Sequence, residues 1–232
     1  MKTLDSNDTN SGWKSLYKIG SICSALMVLI ILSQFVVFVV APPPLNGTAA
    51  DWFALFQQNK FMGLLAFELL MVVYTILSVP LALALFAALG KTDQSLTVTD
   101  LALTVVGVVS FIVARPAFEM LFLSEQYAAA ATDAQRSMFL AAGETLVAMF
   151  HGTAFQVSYF LGSIGGLLIS FVMLKGNPFS RPTAYLRIAS SLLDFGLFIP
   201  TIGLFVSLFS VVCLLIWNIL VARKLWILGK AS

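Results

Sequence analysis

The chain has very little charge. Only 10% of its 232 residues are Asp, Glu, Lys or Arg, while 59% are hydrophobic and the mean hydropathy is +0.96. An ordinary soluble domain carries about 25% charged residues. The net charge of +2 comes from few groups and from no basic run with interleaved aromatics, which excludes nucleic acid as a partner. The composition predicts an integral membrane protein whose main partner is the lipid bilayer.

Residue types that usually carry catalysis are scarce. The two cysteines, Cys23 and Cys213, lie in separate apolar segments without a CxxC spacing, so no disulfide or thiol centre is expected. His151 is the single histidine, and the sequence contains no HExxH, no GxSxG within reach of a histidine base and no glycine-rich phosphate loop. Catalytic zinc usually takes three protein ligands, often including two or three histidines. We therefore expect neither a metal site nor a cofactor, and an enzyme is the less favoured reading.

Long hydrophobic runs, in contrast, are frequent. About 20 apolar residues are needed to cross a bilayer as a helix. Runs of this length lie at 19–41, 61–89, 99–122 and 152–174, and the stretch 184–222 is long enough for two spans, 184–199 and 202–222, separated near Pro200 and Gly203. The sequence has no internal repeat that would support an inverted-repeat transporter. We predict an all-α protein with six transmembrane helices in a single domain, 18–229, between a polar cytoplasmic tail, 1–17, and a short C-terminal tail, 230–232.

The distribution of basic residues predicts the orientation. One side of the predicted topology holds Lys2, Lys14, Lys18, Lys91, Lys175, Arg181, Arg187, Arg223, Lys224 and Lys230. The other side holds only Lys60 and Arg136. Because cytoplasmic connections are enriched in Lys and Arg, both termini are expected in the cytoplasm.

Two segments remain on the outer side. Residues 41–61 begin with prolines and continue as a short amphipathic piece, in which Trp52, Phe53 and Phe56 are suited to the membrane interface. Residues 124–150 are rich in Ala, Glu and Gln and contain no proline. They predict an extra outer helix that runs into the fourth span.

The fourth span carries a stripe of small side chains, repeated every four residues. The stripe consists of Ala154, Ser158, Gly162, Gly166 and Ser170. Small residues in this pattern let a second helix approach closely, and they would equally serve a second copy of the chain or a membrane-protein partner. If the helix is continuous, Glu144 and His151 share this face with Ser158, because seven residues are nearly two turns.

Ionisable side chains occur inside or beside the predicted spans, all in the outer half of the membrane. They are Glu68, Arg115, Glu119, Glu144, His151 and Asp194. A charge facing lipid costs at least about 2.5 kcal/mol, so these side chains should face the protein interior. Arg115 is expected to pair with Glu119 one turn away, with Glu68 or with Asp194, and Pro116 to kink the third helix beside it. The cluster is then either a ligand-binding pocket or a structural ion-pair network.

Three functions are compatible with these features. The first is the binding or transport of a small amphipathic molecule through an outward-facing polar pocket formed by the intramembrane charges. The second is a non-catalytic interaction or regulatory subunit. The third is an intramembrane metal-assisted hydrolase with Glu119, Glu144, His151 and Asp194 near the metal, for which one histidine makes a poor site.

Three stretches carry a resemblance to a known family. They read DWFALFQQNKFMGLLAFELL at 51–70, AQRSMFLAAGETLVAMFHGTAFQVSYFLGSIGGLLISFVML at 134–174 and GNPFSRPTAYLRIASSLLDFGLFIPTIG at 176–203. The chain resembles, from about Lys18 to Gly229, the uncharacterised bacterial membrane-protein family known as domain of unknown function 4386. The resemblance implies a multi-span helical protein of the bacterial plasma (inner) membrane. It carries no established reaction and so implies no catalytic residue, and Glu68 stands where an aspartate is expected in that family.

Overall fold

The computed structural model describes residues 12–199 and 203–230, without the side chains of Leu204 and Phe205. Within these ranges the chain is all-α and contains no strand. The helices are α1 (Lys14–Val40), α2 (Ala49–Gln58), α3 (Lys60–Ala66), α4 (Leu69–Leu89), α5 (Gln94–Val113), α6 (Ala117–Ala129), α7 (Asp133–Phe150), α8 (Thr153–Lys175), α9 (Arg181–Asp194) and α10 (Gly203–Lys230), with a 3-10 turn (Phe195–Phe198) after α9.

Five helical stretches are long and apolar enough to cross a membrane, which indicates a membrane-embedded protein. They are Lys14–Val40, Leu69–Leu89, Gln94–Ala129, Asp133–Lys175 and Val206–Lys230. The predicted fifth span, 184–199, corresponds to α9 and the 3-10 turn, and α9 has only 14 residues. The predicted boundary at Pro200 lies outside the described residues.

Three of the predicted helices are interrupted. The second span breaks at Phe67 and Glu68, between α3 and α4. The third breaks over 114–116, where Pro116 cannot donate a backbone hydrogen bond and a complete break replaces the predicted kink. The predicted outer helix 124–150 is divided between α6 and α7, and α7 ends at Phe150, so it does not run on into α8. Glu144, His151 and Ser158 therefore do not share one continuous helix face.

The chain divides into two compact units, each assembled from separate stretches. Unit 1 contains residues 1–29, 76–108 and 159–232, of which the first described residue is Gly12. Unit 2 contains residues 30–75 and 109–158. The range 18–229, which we predicted as a single domain, contributes residues to both units.

The core of unit 2 is aromatic. Trp52, Phe53 and Phe56 on α2 are 2%, 0% and 0% exposed, so the prediction that they lie at the membrane interface was wrong. The Trp52 ring packs against Phe67, 4.8 Å away edge to face, and against Phe150. The Phe56 ring also meets Phe67, and the Phe53 ring meets Tyr127. The physical reason is that α2 packs against α3, α6 and α7, which together cover its apolar face.

Unit 1 is held together by polar contacts between helices. In α9 and α10, Asp194 accepts a hydrogen bond from Ser210, and the Arg187 guanidinium lies over the Trp217 ring. The partner of Asp194 in α10 is residue 210 and the partner of Arg187 is residue 217, so α9 and α10 run antiparallel in one register. Ser24 of α1 donates to the side chain of Asn218 at 3.0 Å. Each bond pairs a polar group that would otherwise face an apolar environment.

An exposed ion pair in unit 1 gives a prediction about pH. Lys175, at the end of α8, donates to Asp93 at 2.9 Å, and Asp93 also accepts from the Leu96 amide at the start of α5. The Lys175 hydrogen bond, followed by that amide, lowers the pKa of Asp93 below its ordinary value of 3.8. A lowered carboxyl pKa adds stability that is complete above the unfolded-state pKa and is lost as the pH falls through the folded-state pKa.

We expect Asp93→Asn to lower the melting temperature slightly at neutral pH and progressively less below about pH 4. Thermal unfolding in detergent measures the difference, and a difference that grows on acidification contradicts it.

Candidate functional site

Arg115 lies where three helix breaks of unit 2 come together. These are the breaks between α3 and α4, between α5 and α6, and between α7 and α8. Its side chain is 1% exposed, and its Nε donates to the Glu68 carboxylate at 2.7 Å. Its Nη1 donates to the carbonyls of Ala114 at 3.1 Å and Phe150 at 2.9 Å. These carbonyls follow the end of α5 and end α7, where helices leave carbonyl groups without a partner. One guanidinium therefore closes two helix ends and neutralises the carboxylate at the third break.

Aromatic rings enclose the same guanidinium. Its Cζ lies 3.8 Å from the centroid of Phe150, 4.6 Å from that of Phe155 and 4.7 Å from that of Phe111. The face of each ring carries partial negative charge and attracts a cation, more strongly where water is excluded. Arg115 is thus a buried charge with a carboxylate, two carbonyls and three rings around it.

Glu68 occupies an unusual backbone conformation. It has φ 64°, which makes it the non-glycine residue with positive φ in the described chain. A non-glycine residue held in such a sparsely populated region costs about 1–3 kcal/mol and persists only where the surroundings hold it there. The ion pair with Arg115 supplies that restraint. A nearby contact supports the same break: Gln34 of α1 donates to the carbonyl of Leu65 in the last turn of α3, at 3.1 Å.

His151 directly follows α7, at the break between α7 and α8. It is exposed, and its Nε2 lies 3.1 Å from the Leu45 carbonyl. Because a carbonyl oxygen only accepts, Nε2 carries the hydrogen in this contact. Its ring meets that of Phe150 edge to face at 5.0 Å. The histidine thus joins the loop before α2 to the helix break.

Glu144 and Glu119 lie at other places on unit 2. Glu144 accepts a hydrogen bond from the Ala49 amide at 2.8 Å, which caps the start of α2. Glu119, in the first turn of α6, is exposed and does not form the predicted ion pair with Arg115. The difference arises because Arg115 lies before α6 begins, so the two residues are not neighbours on one helix.

A groove between α6 and α7 contains Glu119. It has a volume of about 550 Å³ and is lined by Phe118, Glu119, Phe122, Leu123, Ala142, Thr145 and Leu146. Glu119 is its charged residue, and Thr145 adds a hydroxyl. Phe118 and Leu146 each lie within about one turn of the end of their helix at the Arg115 junction. Ligand sites are typically mostly apolar with a few polar groups, and the lining of this open groove has that composition.

The remaining predicted residues lie elsewhere. Asp194 belongs to unit 1, where Ser210 is its hydrogen-bond partner. In the small-residue stripe, a Cβ on Gly166 would lie 2.3 Å from Ser191 Oγ, whereas a Cβ on Gly162 would meet nothing within 4 Å. Ser170 donates to the Gly166 carbonyl within α8, and Ser158 donates to that of Phe155. Ala154 is half-buried.

Some residues of interest were not singled out from the sequence. Phe111, Phe150 and Phe155 surround Arg115, and nothing in their spacing distinguishes them from ordinary apolar positions. Asp100 is 5% exposed inside α5, and a carboxylate in an apolar run was a signal that could have identified it. Arg187 lies within the predicted fifth span and counts among the basic residues on the side of the termini, but its contact with Gly166 of α8 was not predicted.

The predicted metal-ligand set is not assembled. Within the described residues, no group of three or more His, Cys, Asp and Glu side chains is placed to hold a metal ion. Glu119, Glu144 and His151 lie against different partners within unit 2, and Asp194 belongs to unit 1. The geometry therefore gives the metal-assisted hydrolase no support.

Comparison with protein-family models, with curated proteins and with solved structures finds no match to this chain. The resemblance to domain of unknown function 4386 therefore stays a prediction from the three quoted stretches.

Proposed function

We propose that the protein binds small amphipathic cations in the groove between α6 and α7. The observation that carries this proposal is a mostly apolar site of about 550 Å³ whose charged lining residue is the carboxylate of Glu119. A volume of this size suits a molecule of drug-like dimensions. The apolar walls favour hydrocarbon or aromatic parts of a ligand, and the carboxylate favours a positive centre.

The aromatic residues of the groove support a cation over an anion. Phe118 and Phe122 flank Glu119 on α6 and are 61% and 58% exposed. Phe122 lies three residues after Glu119, so both side chains lie on neighbouring positions of the helix surface. A positive group beside the carboxylate can also lie over a ring face, whereas an anion would be repelled by both.

The Arg115 junction gives the groove a fixed base. Arg115 forms a closed ion pair with Glu68 and does not line an open pocket, since its side chain is 1% exposed. It binds the carbonyl of Phe150 at the end of α7 and is joined to the start of α6 through Pro116. The ends of α6 and α7 that lie next to Arg115 are therefore held together before a ligand enters the groove. Such preorganisation lowers the cost of binding.

Two probes of the same shape and opposite charge test the proposal. Tetraphenylphosphonium is expected to bind the protein in lipid nanodiscs with one-to-one stoichiometry, and tetraphenylborate is expected not to. Glu119→Gln should weaken phosphonium binding roughly tenfold, because it removes the charge and keeps the shape. Equilibrium dialysis against empty nanodiscs, which corrects for partition into lipid, measures both.

A second glutamate on α6 provides the matched control. Glu125 pairs with Lys60 and does not line the groove. Glu125→Gln should leave phosphonium binding unchanged. Equal effects of the two substitutions, or equal binding of the two probes, would show that the groove does not select a cation.

For the topology, we propose six crossings, with both termini in the cytoplasm of a bacterium and the protein in its plasma membrane. The stretch 181–198 lies antiparallel to α10 through the Asp194–Ser210 and Arg187–Trp217 contacts, and it is about 27 Å long at 1.5 Å per residue. That length approaches the roughly 30 Å of a hydrocarbon core. The excess of basic residues on the side of the termini supports the orientation.

Reporter fusions distinguish six crossings from five. Alkaline phosphatase fused after Ser232 should be inactive and a fluorescent protein at the same position active, because both report a cytoplasmic terminus. Fusions after Ala131, in the turn between α6 and α7, should give the opposite pattern. With five crossings, the two termini would lie on opposite sides of the membrane.

A further inference from the structure

Unit 1 contains its own cluster of buried and half-buried polar side chains, and none of them takes part in the proposed groove. The cluster consists of Asp100 on α5, Arg187, Ser191 and Asp194 on α9, and Trp217 on α10. Asp100, Ser191 and Trp217 are 5%, 0% and 5% exposed.

Glycines of α8 make the space for this cluster. A Cβ on Gly166 would lie 2.6 Å from the Cζ and Nε atoms of Arg187, and one on Gly165 would lie 2.8 Å from Asp100 Oδ1. The Arg187 Nη2 donates to the Gly162 carbonyl at 3.3 Å. The glycine face of α8 therefore has the Asp100 carboxylate and the Arg187 guanidinium directly against it.

Arg187 is the cation that interacts with both carboxylates. Its charge acts on Asp100 and on Asp194, but it forms a direct ion pair with neither within the described chain. Two ionised carboxylates and one guanidinium would leave a net charge of minus one in a cluster whose Asp100 is buried and whose Arg187 and Asp194 are half-buried. An unbalanced buried charge is costly, and a single proton removes it.

The hydrogen bonds indicate which carboxyl takes the proton. Asp194 Oδ1 lies 2.5 Å from Ser210 Oγ, whose single hydrogen is shared between this carboxylate and the Ser207 carbonyl at 2.7 Å, so Asp194 has a donor that stabilises its ionised form. Within the described part of the chain, no group donates a hydrogen bond to Asp100. The buried atoms Ser191 Oγ and Trp217 Nε1 also lack a partner, so the cluster holds polar atoms that no protein group satisfies. Such atoms are typical of a site that accommodates a further small polar species.

We propose that Asp100 is a proton-binding site inside unit 1, with Arg187 as the cation that balances the ionised form. The charged group facing Asp100 from α9 is Arg187, while α8 presents Gly165 and α10 presents the uncharged Trp217 behind the guanidinium. Release of the proton leaves an anion that attracts Arg187 away from the Gly162 carbonyl. Proton exchange therefore changes the polar contacts between α5, α8 and α9. This inference does not depend on what binds between α6 and α7.

Dicyclohexylcarbodiimide tests the site, because this apolar reagent reacts with protonated carboxyl groups. The carboxyl proton and oxygen add across the N=C bond, and the acyl group then migrates to nitrogen, so the product carries the whole reagent and nothing leaves. Peptide mass spectrometry of protein in nanodiscs should find the adduct on Asp100, with several-fold more labelling at mildly acidic than at alkaline pH. Asp93, which is paired with Lys175 and held ionised, is the internal comparison and should stay unlabelled.

Two glycine variants provide matched controls. Gly165→Ala places a methyl group against Asp100 Oδ1 and should change its labelling at least several-fold, whereas Gly162→Ala meets nothing and should leave labelling unchanged. Asp100→Asn should abolish the adduct, with thermal unfolding used to check that the variant folds. If Asp100→Asn does not fold, the position of the adduct in the wild type and the comparison of the two glycine variants still test the proposal. Absence of an Asp100 adduct, labelling that does not change with pH, equal labelling of the two glycine variants, or protection by Na⁺ at fixed pH would each overturn the proposal.

Discussion

Arg115→Met is expected to lower the free energy of unfolding by about 3–5 kcal/mol. The change leaves the half-buried Glu68 carboxylate without its cation, and it removes the donor shared by the carbonyls of Ala114 and Phe150. The loss of a buried partner costs more than the pair contributes, because the remaining charge stays desolvated. Unfolding equilibria in mixed micelles, or inactivation half-lives at a fixed temperature, measure the loss.

Two further variants separate the ion pair from simple loss of packing. The double variant Glu68→Gln with Arg115→Met should be more stable than Arg115→Met alone, because it no longer buries an unpaired charge. Arg136→Met is the control for removing an arginine, since Arg136 is exposed and lies 3.9 Å from Asp133, and its effect should stay within about 0.5 kcal/mol. If Arg115→Met costs no more than Arg136→Met, the buried guanidinium does not hold the three breaks together.

Gly166→Ala is expected to destabilise the protein by about 1–3 kcal/mol, although alanine is the better helix former. The added methyl group would lie 2.3 Å from Ser191 Oγ and 2.6 Å from the Arg187 guanidinium. Neither group can move freely, because Ser191 is fully buried and Arg187 lies over Trp217. Thermal unfolding in detergent should show a lower melting temperature.

The matching substitution on the same helix should have the opposite sign. A methyl group at Gly162 meets nothing within 4 Å, so Gly162→Ala adds helix propensity and should stabilise by up to about 1 kcal/mol. The stripe alone predicts similar losses at both positions, because both belong to the same four-residue repeat. Equal destabilisation at Gly162 and Gly166 would favour the stripe as a packing surface over the specific contact with Arg187.

Much of the secondary structure was predictable because span length and apolar character are local properties. The approximate positions of the long helices follow from the hydrophobic runs, as α1, α4 and α8 show, but their ends do not, since α1 begins at Lys14 and α4 at Leu69. The interruptions were harder to predict. Pro116 indicated the break before α6, but nothing local indicates that Glu68 should adopt φ 64°. The ion pair with Arg115 ties Glu68 to the break between α5 and α6, and this contact holds its backbone conformation.

The ion-pair partners of the charged residues depended on packing and could not be predicted from sequence spacing. Glu119 is close to Arg115 in sequence, yet Glu68, 47 residues away, is the ion-pair partner. A break of three residues between α5 and α6 changes the direction of every side chain that follows it, so helical spacing across 114–116 no longer predicts a neighbour. Arg187 shows the same limit, because its position in the predicted fifth span does not indicate that its guanidinium lies against Gly166 and over Trp217.

The sequence by itself determined that this is a helical protein with few ionisable groups and with segments long and apolar enough to span a membrane, because hydrophobicity and helix length need no knowledge of neighbours. It also identified Glu68 and Arg115 as charges that require a partner, since a charge in an apolar run is costly wherever it lies. Only the tertiary structure decided that they are each other's partner, that Trp52 and its neighbouring phenylalanines form a core, and that Asp100 lies against glycine. Those facts depend on where helices break and how they are rotated, and both are set by contacts between residues far apart in the chain.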